Sequence, residues 1–285
     1  EYPEVGLYHP DLAARITTDA AAVPRPQGAS ATVGLLMLRS YILASDTAHY
    51  DAVIRAFEAR GIAVLPAFAG GLDGRPAMSA FMTGRVDALV SLTGFSLVGG
   101  PAYNDSPAAV QALADLDVPY IAAHPLEFQT LGQWGASGGG LGPVETTMLI
   151  ALPEIDGATN PTVFAGRHGG DGCTGCGRHC EASGNAETRA MAPCPERIEA
   201  LVDKTARLAR LRRTQVAERK VAVVLYGFPP NAGAAGTAAY LGVMESLFNV
   251  LTAMQAEGYA TGDLPATVED LRAAILCGPE ALHGQ

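Results

Sequence analysis

No stretch of this sequence approaches the run of about eighteen apolar residues that a membrane-spanning helix requires, and no apolar leader stands near its start. A spanning helix and a secretory route are set aside, and a soluble cytoplasmic location is the expectation. Positive charge is also scarce. The 19 Lys and Arg against 29 Asp and Glu leave a formal net charge of −10, which argues against a general binder of nucleic acid or anionic membrane. The glycine-rich loop Gly227 to Gly236 lacks the lysine and hydroxyl pair of a phosphate-binding loop, and its spacing is not the dinucleotide fingerprint. No short repeat of the solenoid type is present. Cysteine is nearly absent, with five in 285 residues, and a chain of this length builds its core without disulfide staples.

Four of those five cysteines nevertheless fall together. Cys173, Cys176, Cys180 and Cys194 form a C-x2-C-x3-C-x13-C array in a glycine-rich stretch. Thiolates at such spacing on a loop can converge on one centre, and four of them match either a cubane iron–sulfur cluster or a closed tetrahedral zinc site. The scarcity of a compelling histidine ligand favours [4Fe–4S] over Zn²⁺, with His168 and His179 close enough in sequence to compete, and two disulfides are the remaining alternative. Cys277, alone near the end, reads as a small buried hydrophobe.

With 48% hydrophobic and 17% charged residues, the chain can bury one large α/β core or two smaller ones. From Val33 onward, short aliphatic runs alternate with helical patterns, the signature of parallel strands joined by crossover helices. Val33–Leu38 reads as a buried strand. Asp46 is placed to cap a helix carrying Tyr50, Val53, Ile54 and Phe57 on one face, Gly61 to end it, and Ile62–Leu65 to form the next strand. Arg85–Val90 and Val118–Ala122 read as the third and fourth strands, Thr162–Ala165 as a fifth, and Ser106-Pro107 as a helix start. Periodicity then fades from Gly166 to Pro195. A long helix follows with a stripe of Ile198, Leu201, Val202, Thr205 and Leu208 and a basic, solvated end. Val221–Tyr226 reads as a new strand, residues 237 to 257 as a helix, and Thr267 with Asp270 as a capping pair before a last helix.

The expected fold is therefore α/β, with two doubly wound, Rossmann-like parallel-sheet units. The expected boundaries are a first unit over 1–165, a Cys-rich metal-binding or cluster-binding insertion over 166–196, a connecting helix over 197–220, and the start of a second unit over 221–285. A beginning at Glu1 instead of Met, with a core-like Val5–Tyr8 run close behind it, suggests an internal fragment of a larger protein.

In open α/β sheets, ligands sit outside the carboxyl ends of the strands. The loops there hold Arg39 to His49, Phe68 to Asp73, Thr93 to Gly100 and His124 to Phe128, and their glycines allow something flat or bulky to approach the backbone. Four of these and later segments, Ala63–Asp73, Leu92–Pro101, Ala151–Gly157 and Gly227–Leu241, resemble in order the large porphyrin-binding H subunits of the CobN/magnesium chelatase family. The resemblance covers essentially the whole chain. The cysteine segment is similar to the version in bacteriochlorophyll-making bacteria, where plant and cyanobacterial relatives have a shorter connection without cysteine.

This resemblance implies a ligase of photosynthetic pigment biosynthesis, inserting Mg²⁺ into protoporphyrin IX on the route to bacteriochlorophyll and chlorophyll. ATP would be hydrolysed on AAA+ partners, the I and D subunits, so the missing phosphate-binding lysine is expected. Metallation needs a base for two pyrrole N–H protons and oxygen ligands for a reluctantly dehydrated ion. His49, His124, Glu154 and Asp156 are the candidates for that chemistry, with Glu127 and Glu145 also available. Tyr41, Phe68, Phe95, Phe128 and Phe228 are candidates for a flat apolar wall against the macrocycle. Two alternatives stay open: the cobaltochelatase large subunit of cobalamin biosynthesis, and a non-catalytic iron–sulfur or zinc regulatory module.

Overall fold

The computed structural model describes residues 2–100, 103–169, 172–180, 190–225 and 241–277. The chain divides into two compact units, residues 1–212 and 213–285.

The first unit opens with β1 (Val5–Tyr8) and β2 (Ile16–Thr17), followed by β3 (Ala31–Leu38), α1 (Arg39–Leu43), α2 (Ala48–Glu58), β4 (Ile62–Ala69), α3 (Arg75–Phe81) and β5 (Ala88–Ser91). A short hairpin, β6 (Gly99–Gly100) with β7 (Tyr103–Asn104), leads into α4 (Ser106–Leu116) and the long β8 (Tyr120–Thr130). After α5 (Leu131–Ala136) comes a helical stretch from α6 (Pro143–Glu145) to α7 (Leu152–Ile155). Its middle, Thr146–Ala151, is wound as π-helix. Pro153 explains the wide turn: its ring cannot tolerate the carbonyl of Leu149 at α-helical distance, so the preceding backbone opens. Then come β9 (Thr159–Arg167), β10 (Met191–Pro193) and α8 (Pro195–Arg213).

Eight strands form one sheet in the order β10-β9-β8-β5-β3-β4-β1-β2. The five in the middle, β9 to β4, are mutually parallel, and β10, β1 and β2 join antiparallel at the edges. Alternation along the strands separates two cores. Val33, Leu35 and Met37 of β3 face Tyr50, Val53, Ile54 and Phe57 of α2 and Ile198, Leu201 and Val202 of α8. On the opposite face, Leu36, Leu65 and Leu89 pack with Met78 and Phe81 of α3 and Ala109 and Leu116 of α4. Helices thus cover both faces of a mostly parallel sheet, as the alternating pattern anticipates.

Several elements differ from their sequence-based outline. The fourth strand runs eight residues past Ala122, because register shifts at His124/Pro125 and Leu126/Thr130 let β8 continue beside β9 through a proline that ordinarily argues against a strand. The third strand begins at Ala88, since Asp87 instead turns its carboxylate to accept from the Thr32 N–H at 2.8 Å. Helix α8 ends at Arg213, short of Lys220. Val221–Leu225, the described part of the strand expected in the second unit, forms none, and Val221, Val223 and Val224 are exposed. The described helices of that unit are α9 (Val243–Ala256) and α10 (Val268–Cys277). The Thr267 Oγ1 accepts from the Asp270 N–H at 3.1 Å, as the capping pair requires. The Gly227–Gly236 loop and the start of the helix expected from residue 237 lie outside the described residues, as do Phe228 and the side chain of Cys277.

Asp46 is a further correction. It does not cap α2, whose N-cap is Thr47 without a side-chain bond. Its carboxylate instead accepts from the Met191 N–H at 3.0 and 3.2 Å, tying β10 to the loop between α1 and α2. Removing a charge-assisted bond of this kind costs about 1.5–3 kcal/mol. Asp46→Ala is therefore expected to lower stability by about that amount and to raise amide exchange at Met191 more than in the first turn of α2. Faster exchange confined to α2 would restore the capping role.

Candidate functional site

The parallel part of the sheet begins at β3, adds β4 on one side, then crosses back to place β5, β8 and β9 on the other. Strand order therefore reverses between β3 and β5, and a crevice belongs at their carboxyl ends. A narrow pocket is found there, lined by Leu36, Leu38, Leu72, Asp73, Thr93 and Phe95 among others. Its rim is rigidly braced. The Gly74 N–H donates to the Leu97 carbonyl at 2.9 Å and the Gly99 N–H to Leu72 at 3.0 Å, joining the loops after β4 and β5. Gly94 holds φ +74, and a Cβ there would lie 3.2 Å from both Leu149 and Pro125.

Asp156, expected among the catalytic groups, braces this same rim. It is buried, and its Oδ2 accepts from Ser96 Oγ at 2.5 Å and from the Leu97 N–H at 2.9 Å. Glu154, two residues earlier in α7, is exposed. The two carboxylates of one short motif thus face different environments.

His49 and His124 do not reach the surface. His49 lies against Tyr50 at 3.9 Å between ring centroids and meets Tyr41 edge-on at 5.1 Å, and both its ring nitrogens are buried without a hydrogen-bond partner. Burial, helped by the positive charge of Arg167, depresses its pKa to about 3. His124, on β8, is equally buried with unpartnered nitrogens, and burial lowers its pKa to about 4. Both imidazoles are neutral at physiological pH.

The aromatic candidates separate in the same way. Phe68 is a core residue, packed so closely on β1 that a Cβ at Gly6 would come within 2.7 Å of its ring. Phe95 is half-buried at the crevice, and Phe128 is 64% exposed at the far end of β8. Tyr41 donates its hydroxyl to Glu127, whose other oxygen accepts from Arg167 Nη2 at 2.6 Å. This Tyr41–Glu127–Arg167 group was not legible as a unit, because its members come from α1, β8 and β9. A cation ending an apolar strand was the available signal.

The four clustered cysteines carry free thiols. Cys173 and Cys180 face each other across an antiparallel bridge, with the Cys173 N–H donating to the Cys180 carbonyl at 2.8 Å. The segment packs on α5 through two glycines, since a Cβ on Gly135 would sit 2.7 Å from the Cys173 Sγ. Cys194 is buried, and burial pushes its thiol pKa up, away from the ligating thiolate. No three His, Cys, Asp or Glu side chains among the described residues stand together as a metal-holding group. In this conformation the four thiols do not fit a cluster or a zinc ion.

A mixed α/β protein with a mostly parallel sheet and a braced crevice at its switch point is the class these features define. The family model described as CobN/Magnesium Chelatase matches residues 1–283, and the chain belongs to that family. It is 72% identical over 285 residues to the H subunit of magnesium chelatase from Rhodobacter capsulatus, covering all of this chain and 24% of that protein. To the chloroplastic ChlH subunit of magnesium chelatase from Oryza sativa subsp. indica it is 43% identical over 255 residues, 87% of this chain and 17% of that protein. Among solved structures, the catalytic subunit of cobaltochelatase from Mycobacterium tuberculosis superposes with a TM-score of 0.69 at 26% identity, over 98% of this chain and 22% of that one. The chain thus spans between about a sixth and a quarter of the length of the relatives it matches.

The two histidines set a pH dependence. Unfolded, each imidazole binds a proton near pH 6.5, whereas folded they do so only near 3 and 4. Between those values the unfolded state holds more protons, so their contribution is fully present above pH 6.5 and is lost as pH falls toward the folded values. Urea unfolding between pH 6.5 and 5 is expected to show stability falling with pH, by at most about 1.4 kcal/mol per unit for each histidine. The slope should flatten in His49→Phe and in His124→Leu, and an unchanged slope in both variants would contradict neutral burial.

Proposed function

We propose that this chain is part of the porphyrin-binding subunit of a magnesium chelatase, which inserts Mg²⁺ into protoporphyrin IX on the way to bacteriochlorophyll or chlorophyll. The observation that carries the reading is the 72% identity across the full chain to the H subunit of a magnesium chelatase. The work of ATP hydrolysis falls to separate AAA+ proteins, the I and D subunits, consistent with glycine-rich loops that lack a phosphate-binding lysine. Among the described residues, no helix is long and apolar enough to cross a membrane.

In this reading the loops at the carboxyl ends of the strands hold the macrocycle, with Phe95 and Phe128 as apolar contacts and Tyr41 beside them. Phe68 supports the sheet from within. Of the groups considered for the pyrrole protons, Glu154 has open access. Asp156 fixes the loop beside it, and His49 and His124 would act only if the core opened. An exposed carboxylate suits both demands of the reaction, since it accepts a proton and offers oxygen to a hard cation. The cobaltochelatase alternative draws its support from the structural likeness at 26% identity.

Reconstitution of the full-length subunit with its ATPase partners tests the reading. Magnesium insertion into protoporphyrin IX is expected only with ATP and both partners. Glu154→Gln should lower turnover by about a hundredfold or more while leaving porphyrin affinity near the parental value. Cobalt insertion into a corrin precursor with no magnesium activity would favour the alternative.

We also propose that Cys173, Cys176, Cys180 and Cys194 take up a [4Fe–4S] cluster after converging, with Zn²⁺ as the alternative occupant. Their spacing and free thiols support this. Iron and sulfide analysis of anaerobically purified protein is expected to give about four of each per chain. Stoichiometric zinc without iron would assign the alternative, and metal-free protein would overturn the metal assignment and leave the regulatory-module reading without its cofactor.

A further inference from the structure

Glu127 and Arg167 border a hollow at the carboxyl ends of β8 and β9 whose lining also includes Phe128, Gln129, Gln133 and His168. Glu127 and Arg167 are each 30% exposed, so solvent and ligands reach both. Phe128 and Gln129 also form one wall of a second, more open hollow, completed by Leu141, Pro143, Val144 and Glu145. Phe128 is 64% and Val144 60% exposed there. An apolar platform therefore continues, through Phe128, into a polar hollow edged by a guanidinium. A guanidinium in an ion pair with Glu127, beside exposed apolar side chains, suits a ligand that is flat and apolar over most of its area and carries a carboxylate at one margin to share that guanidinium or displace Glu127 from it.

We infer that Arg167 binds a carboxylate side arm of the tetrapyrrole, with the ring face laid on Phe128 and Val144. The inference rests on the proposed porphyrin-binding reading and names the contact that would orient the macrocycle. Its geometry is prepared in advance. Glu127 accepts from Arg167 Nη2, Tyr41 holds the other Glu127 oxygen, and the guanidinium carbon stands 6.0 Å from the centre of the Tyr41 ring. The fork is thus oriented before any ligand arrives, which reduces the entropy lost on binding. The incoming carboxylate shares the guanidinium with Glu127 or takes its place, and in either case it meets a planar set of donors matched to a carboxylate. Two other arginines stand at this edge of the sheet: Arg39 donates to the Tyr2 carbonyl at 3.0 Å, and Arg75 pairs with Asp73 at 2.7 Å. Neither lines the two hollows.

The test compares protoporphyrin IX with its dimethyl ester, which keeps the ring and removes the anionic charge. Both are titrated into the full-length subunit and followed by the Soret band and tryptophan quenching. The parental protein should bind the diacid more tightly than the ester. Arg167→Gln should weaken the diacid by about ten- to a hundredfold and leave the ester unchanged, and Arg167→Lys should fall between. Retained ester binding doubles as the check that each variant is folded. Parental diacid affinity in Arg167→Gln, or equal weakening of diacid and ester, would overturn the assignment of Arg167 while porphyrin binding by the parent stood. A parental protein that bound neither porphyrin would overturn the proposed function and this inference with it.

Discussion

The parallel pairing of β3 with both β4 and β5 is the constraint on which the first unit depends. A strand hydrogen-bonded on both edges and covered on both faces has no polar route to solvent, so its residues are nearly all apolar, and Ala31–Met37 is buried along its whole length with Thr32 as its one polar side chain. Because β4, β5, β8 and β9 run in the same sense, their loops leave the sheet at one edge. Everything of chemical interest is delivered to that edge by the crossover geometry, before any particular loop residue is chosen.

What happens at the edge depends on buried polar ties that join segments distant in sequence. Asp156 reaches back some sixty residues to hold Ser96 and Leu97, and Asp46 reaches forward to Met191. Each places a carboxylate where a backbone N–H would otherwise be buried without a partner, a loss comparable to that of the bond itself. The result is a crevice whose walls are set by the fold. Loops held this way need little ordering when a ligand arrives.

The histidines show the opposite case, in which residue type alone is a poor guide to role. His49 follows Ala48 at the start of α2, a position that sequence places near the ligand edge. The helix nevertheless turns its ring inward against Tyr50, Tyr41 and Phe164, and desolvation keeps it neutral. The cysteines are close in sequence, yet Cys194 is carried by the segment that enters α8 and is buried there, while Cys173 and Cys180 pair through their backbones over α5.

Much of the architecture was legible from the chain. Apolar runs of strand length alternated with helical stripes, and Tyr50, Val53, Ile54 and Phe57, or Ile198, Leu201 and Val202, proved to be the buried faces of their helices, because a 3.6-residue period records which side of a helix is covered. Family membership was also legible, since four ordered motifs survive in the primary sequence. Only the tertiary structure decided that β8 runs on through Pro125, that Asp46 holds β10, that Val221–Leu225 forms no strand, and that Glu154 and Asp156 part into solvent and core. It alone assembled Tyr41, Glu127 and Arg167. The physical reason is the same throughout: periodicity reports a residue's own element, whereas burial, strand pairing and ion pairing depend on which other element packs against it.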